Sequence, residues 1–122
     1  MLDRILNSKK VTHKSLDAVW LRNEAISQNI ANIDTPGYKR KSVSFEEHLA
    51  QAMKRKDFKK SDVDGINIRV TEENKNLSVR LDGNNVDIDM EMAELAKNTI
   101  KYNAMTQLAG YSKIKMVIKE GK

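Results

Sequence analysis

Side chains able to do chemistry are few in this chain and lie far apart. The two histidines, His13 and His48, fall in different segments, and neither has a cysteine, histidine or glutamate at metal-ligand spacing. Both read as surface residues. Asp82, Asn84, Asp87, Asp89 and Glu91 faintly resemble a calcium loop. That loop fails at its sixth position, where Asp87 stands in place of glycine, and at its twelfth, where Ala93 stands in place of glutamate. A second start at Asp62 puts Asp64 third and Glu73 twelfth, but Ile66 at the fifth position and Asn67 at the sixth break it. Ser8, Ser15, Ser27, Ser42, Ser44, Ser61, Ser78 and Ser112 stand in no nucleophile-elbow sequence, and there is no glycine-rich phosphate loop. The chain has no cysteine, which fits a protein that avoids disulfide chemistry. The expectation is a non-enzymatic protein with no catalytic, cofactor or metal site.

What the residue types do specify is a long amphipathic helix with an abrupt stop. Leu16, Val19, Asn23, Ile26, Ile30 and Ile33 recur at spacings of three and four, the rhythm of a helix that packs along one seam against another. The helix is expected over residues 9 to 34, roughly 35–40 Å long at 1.5 Å per residue. Ser15, followed by Asp17 and Ala18, caps a shorter version if the first residues fray. Pro36 then pushes Thr35 out of the α region, and Pro36-Gly37 supplies one fixed φ and one free φ, the requirement of a tight turn.

The middle of the chain is polar. Residues 39 to 62 contain a short helix through Ser44-Phe45-Glu46-Glu47-His48-Leu49-Ala50. Ile66, Ile68 and Val70 alternate with polar residues, as do Leu77, Val79 and Leu81, and this period of two predicts two half-buried strands. Residues 71 to 76 are polar enough to join them as a hairpin. Asp82-Gly83-Asn84-Asn85 turns the chain again, and Asp87 or Asp89 is expected to cap the last helix, with Asp87, Asp89 and Glu91 facing solvent.

That helix, about residues 89 to 118, carries two apolar stripes. Ala93, Ala96, Ile100, Ala104, Leu108, Tyr111 and Ile118 form one; Met92, Leu95, Tyr102, Ala109 and Met116 form another beside it. A helix wet on one side needs a single stripe, so two imply more than one neighbour. The small residues allow close approach, and methionines adapt to irregular surfaces. The expectation is that the terminal helices are frayed or unfolded in the free monomer and order when neighbouring subunits cover the second stripe.

The net charge of +5 has one location. Residues 39 to 60 hold Lys39, Arg40, Lys41, Lys54, Arg55, Lys56, Lys59 and Lys60 against Glu46, Glu47 and Asp57, and the rest of the chain balances fourteen bases against fourteen acids. Such a run is more often a solvated face than a nucleic-acid site. The rival reading is a small basic nucleic-acid-binding protein using residues 39 to 60. No apolar run approaches the roughly 20 residues of a membrane helix. The acid at Asp3 and the missing apolar core of a leader argue against a cleavable secretory signal.

The stretch Asn29-Ile30-Ala31-Asn32-Ile33-Asp34-Thr35-Pro36-Gly37-Tyr38-Lys39-Arg40 resembles, without a gap, the N-terminal signature of the flagellar axial proteins, the rod, hook and hook-filament junction subunits of bacteria. The segment from Asp82 to Asn103 is similar to the C-terminal region of one branch of the proximal rod proteins. Its close relative FlgC, and the distal rod and hook proteins, usually carry an arginine just before the tyrosine, where this chain has Lys101 before Tyr102. FlgC is therefore the alternative within the family. Asn29, Ala31, Asn32, Thr35, Pro36, Gly37, Tyr38, Asn85, Val86, Asp87, Glu91 and Met92 carry the resemblance, whose two ends cover somewhat under half of the chain. Residues 46 to 80 hold no recognisable motif.

The resemblance implies a mainly α fold in which long N- and C-terminal helices pair as a coiled coil around a small, partly irregular, hairpin-like middle segment. Residues 1–38 and 86–122 would form the axial core, and residues 39–85 the basic loop and short strands. It further implies a structural subunit of the proximal rod that polymerises through its terminal helices into a torque-transmitting axis. Leu16, Val19, Ile26, Ile30 and Ile33 would supply one face of the seam, and Leu95, Ile100, Tyr102, Leu108 and Tyr111 the other, with Asn23 fixing register. Pro36-Gly37-Tyr38 would aim the chain out of the tube. The implied partners are other rod subunits, the rod-base adaptor and the flagellar type III export apparatus, with no nucleic acid and no membrane insertion. The implied location is the basal body, reached without loss of a signal peptide.

Overall fold

A computed structural model describes residues 2–55, 63, 65–73 and 81–120, the side chains of residues 2–9, 111–117 and 120 excepted. The elements in chain order are α1 (Leu2–Ala31), β1 (Lys41–Ser44), α2 (Glu46–Met53), β2 (Arg69–Glu72) and α3 (Ile88–Glu120). The protein is mainly helical, with a small antiparallel pair of strands in its middle. No described helix is long and apolar enough to cross a membrane.

α1 starts earlier than the periodicity predicts, so the Ser15 cap is not used. α1 and α3 pair antiparallel: Glu91 meets Asn29 while Asn98 meets Val19, so positions rise along one helix as they fall along the other. Between Glu91 and Ala109, the covered or half-covered positions of α3 are Glu91, Glu94, Leu95, Asn98, Met105 and Ala109, again spaced by three and four. At about 100° per residue, Ile100 lies opposite the covered face and Leu108 on the flank of the helix, about 100° away from that face. They are 70% and 53% exposed, so they do not join Leu95 in the seam with α1. Tyr102 is exposed at the seam's edge, and the side chain of Tyr111 lies outside the described residues.

α1 also packs on the middle of the chain. Ala18 joins Phe45, Ala52 and Ile66 in a small core, flanked by Leu49 and Ile68. α2 follows the short helix read from the sequence, shifted a few residues toward the C-terminus.

The strands differ from the expected hairpin. β2 pairs with β1, in the register Lys41↔Glu72, Val43↔Val70 and Ser44↔Arg69. Residues 77 to 80 of the proposed mate lie outside the described residues, and Leu81 is exposed. The alternation at Ile66 and Ile68 is real burial, but it belongs to the core contact before the strand, and β2 itself is exposed. β1 was hidden in the basic window, because Lys-Ser-Val-Ser offers one apolar residue and pairing alone makes it a strand.

Candidate functional site

The turn after α1 forms as its residues dictate. Thr35 N–H donates to Asn32 O at 3.0 Å and Tyr38 N–H to Thr35 O at 3.3 Å, with Pro36 first and Gly37 second between them. Gly37 has φ +73°, the positive value a type II turn needs at that place. A second positive-φ glycine, Gly83, packs directly against it: a Cβ there would lie 3.6 Å from the Gly37 Cα. Gly37 N–H donates to Asp82 O at 2.9 Å, which joins the two turns across the fold.

Asn84 finishes α1 from a distance. Its amide Nδ2 reaches Asn32 O, Ile33 O and Thr35 O at 2.9, 3.0 and 2.9 Å, gathering the carbonyls of the turn that follows the helix. Its Oδ1 accepts from Val86 N–H at 2.8 Å and holds the approach to α3. Asp87, one of the two expected caps, accepts from Asp89 N–H at 3.0 Å at the start of α3.

Around these turns lies a buried polar clasp. Asn29, on α1, is fully buried and uses its whole amide. Nδ2 donates to Lys41 O at 2.9 Å and Glu91 Oε2 at 3.2 Å, while Oδ1 accepts from Tyr38 Oη at 3.0 Å and Lys41 N–H at 2.9 Å. Glu91 is also fully buried, contrary to the solvent-facing role read from the sequence, and its other oxygen accepts from Arg40 Nε. Arg40 in turn pairs with Glu73 at 2.8 Å, and its backbone N–H donates to Asn85 Oδ1 at 2.6 Å. Asn85 Nδ2 donates to Glu73 O at 2.8 Å. α1, β1, α3 and the end of β2 are thereby tied at one point. Burial, then the negative charges of Glu72 and Glu91, push the Tyr38 phenol above its usual range.

A second tie lies farther along α1. Arg22 donates to both carboxylate oxygens of Glu46, at 2.8 and 2.6 Å, and Lys101 approaches the same carboxylate at 3.7 Å. Desolvation pulls the Glu46 carboxyl up, but the Arg22 hydrogen bond, its own backbone N–H, and the charges of Arg22 and Lys101 outweigh this and hold it below the usual range.

The clasp accounts for part of the family signature. Asn29, Asn32, Thr35, Gly37, Tyr38, Asn85, Val86, Asp87 and Glu91 all take part through side chain or backbone, whereas Ala31 and Met92 are exposed. Arg40, Glu73 and Asn84 are members the sequence did not assign. Asn23, the expected polar residue of the seam, is exposed at its rim, and the buried asparagines among the described residues are Asn29, Asn84 and Asn98. The basic window is also less uniform than its composition: Lys39 donates to Gly83 O, Lys41 to Gln28 Oε1 at 3.1 Å, and Arg40 is buried in the clasp. Among the described residues, no group of three or more His, Cys, Asp or Glu could hold a metal ion.

What remains uncovered is the first stripe of α3, not the second as expected: Leu95 and Ala109 of the second stripe are half-buried. Ala93, Ala96, Ile100, Ala104, Leu108 and Ile118 are all exposed along one side of that helix.

Comparison with known proteins places this geometry. Residues 21–39, the end of α1 and the turn, match the family described as Flagella basal body rod protein. The chain is 38% identical over 116 residues to the flagellar basal body rod protein FlgB of Bacillus subtilis, covering 88% of this chain and 90% of that protein. It is 35% identical over 131 residues to FlgB of Borreliella burgdorferi, covering 88% and 93%. It is 30% identical over 139 residues to FlgB of Salmonella typhimurium, covering 99% of each.

Proposed function

This chain belongs to the flagellar basal body rod proteins, and on that premise we propose that it builds the proximal rod by packing its uncovered helix faces against neighbouring subunits. It is a structural subunit of the basal body, and the names of its relatives favour the FlgB reading over FlgC. Those relatives are rod proteins, and the role taken here is mechanical and non-enzymatic. The observation that carries the assembly reading is the row Ala93, Ile100, Ala104 and Leu108, exposed on a helix whose other side is already occupied by α1. Small and branched residues in one row suit the close approach of another helix.

In this reading residues 1–38 and 86–122 form the axial core, and the clasp fixes the angle at which residues 39–85 leave it. The seam residues Leu16, Val19, Ile26, Ile30, Ile33 and Leu95 hold the pair together, while Ile100, Leu108 and Tyr102 meet the neighbours. Other rod subunits and the rod-base adaptor are its partners, and the type III export apparatus delivers it without a cleaved signal. The ends of the helix pair gain their full order on assembly.

Two measurements test this. Ile100→Asp combined with Leu108→Asp changes only exposed positions, so the monomer should fold with unchanged circular dichroism while a strain carrying the pair builds no rods. A fully motile strain with both changes would overturn the proposed face. In the dilute monomer the far ends of the two helices should melt before the part held by the clasp, which unfolds cooperatively, and a single transition of full helicity in the isolated chain would contradict ordering by neighbours.

A further inference from the structure

A pocket of about 410 Å³ lies between α2 and the segment that leads into β2. His48, Gln51 and Arg55 recur at spacings of three and four along one face of α2 and the turn that ends it, and Asn67 and Arg69 complete the wall. Ala52 and Ile66, which also line it, are buried in the small core with Ala18 and Phe45, so both sides of the pocket are held in place. Among the described residues, no acid lines it. The other arginines whose side chains are described each hold carboxylates: Arg22 that of Glu46, Arg40 those of Glu73 and Glu91. Arg55 and Arg69 are exposed, and neither guanidinium has an ion pair or hydrogen bond among the described residues.

We propose that this pocket binds an oxyanion, a carboxylate or phosphate group, between the guanidinium groups of Arg55 and Arg69, with the side-chain amides of Gln51 and Asn67 as further donors. Two like charges that face one cavity repel each other, and a shared counter-charge removes that cost. A guanidinium presents its N–H groups as a planar fork that matches a pair of oxygens, which suits a carboxylate or a phosphate better than a halide. The volume falls within the roughly 300–1,000 Å³ of small-molecule pockets. Both arginines are open to solvent, so an anion reaches them without rearrangement of the chain. No described residue of α1 or α3 lines the pocket, and the inference stands apart from the rod reading above.

The two histidines make the test local, because His48 lines the pocket and His13 lies on α1. The full chain is titrated with pyrophosphate and, separately, with glutarate, against sodium chloride at matched ionic strength and fixed pH. The nuclear magnetic resonance signals of the His48 ring should shift saturably with one anion bound per chain, while those of His13 stay in place. Tighter binding of pyrophosphate would assign the site to a phosphate group, and tighter binding of glutarate to a carboxylate. A shift that is linear in anion, or shared equally by His13, would overturn the site.

Arg55→Gln and Arg69→Gln should each weaken the binding about tenfold or more, since each removes charged hydrogen bonds. Arg55→Lys should recover only part of the loss, because lysine keeps the charge and lacks the fork. Lys54→Gln removes the same charge from an exposed neighbour that does not line the pocket, and should leave the affinity within about twofold of the parent. All four variants alter exposed positions, so each should fold with unchanged circular dichroism. Equal weakening by Lys54→Gln and Arg55→Gln would show that net basic charge, and not a built pocket, attracts the anion, and would overturn the proposal.

Discussion

The two ends of the α1–α3 pair are finished to different degrees. Where Asn29 meets Glu91, the side-chain amide of Asn29 and both oxygens of Glu91 have partners, and four segments converge. Farther along, near Asn98 and Leu108, one buried oxygen has no partner and an apolar row faces solvent. A buried polar cluster that is fully satisfied specifies one arrangement of the chain without outside help. A helix pair with an uncovered row depends on what covers it. In the reading proposed above, the clasp is the part of the subunit that folds by itself, and the far half is the part that assembly would complete.

The largest expected effect breaks the clasp. Glu91→Ala leaves Arg40 buried without its main partner and Asn29 Nδ2 short of one acceptor, and removing one partner of a buried ion pair typically costs about 3–5 kcal/mol. Urea unfolding of the monomer should show a loss of that size. If the loss is below about 1 kcal/mol, the clasp is not what holds the subunit's shape.

Next in size is the turn that feeds the clasp. Gly37→Val puts a branched side chain at φ +73°, where L-residues are strained by roughly 1–2 kcal/mol. Nothing lies within 4 Å of a Cβ built there, so the effect should be conformational and not steric. Gly37→Asn, which tolerates positive φ better, should recover much of the stability lost in Gly37→Val. Equal losses in both would show that contact, not backbone angle, sets the cost.

The same division explains what the sequence could disclose. Helices and the Pro36-Gly37 turn were legible because apolar spacing and backbone restriction act locally, and α2 was found for the same reason. Asn29 shares a face with Ile26 and Ile33 at helical spacing, which was the available signal that it is buried. Glu91 stands four residues before Leu95 on the covered face of α3 and carried the same signal. Both were obscured because a polar residue in a heptad reads as solvated until its partners are known. The β1–β2 pairing was not legible for a related reason: Val43 finds Val70 through tertiary register, and no local pattern names a strand's mate. The two stripes of α3 were visible, but which one faced α1 was not, since both are apolar and only the position of Asn98 and Glu91 separates them.

The smallest effect lies between the two halves, at Glu46, which ties α2 to α1 through Arg22 and lies near Lys101 of α3. Its folded-state carboxyl titrates below its unfolded value. The stabilisation is therefore present above the unfolded value, about pH 4.3, and is lost as the pH falls through the folded one. The side chain of Glu46 is 50% exposed, so solvent screening limits the contribution to at most about 1 kcal/mol. Comparing Glu46→Gln with the parent by urea unfolding at pH 7 and at pH 3 should show a small deficit at the higher pH that disappears at the lower. Added salt should shrink the deficit at pH 7, because exposed pairs are screened, whereas the Glu91→Ala loss should change little. A Glu46→Gln deficit that persisted at pH 3 would mean that packing, and not charge, joins α2 to the helix pair.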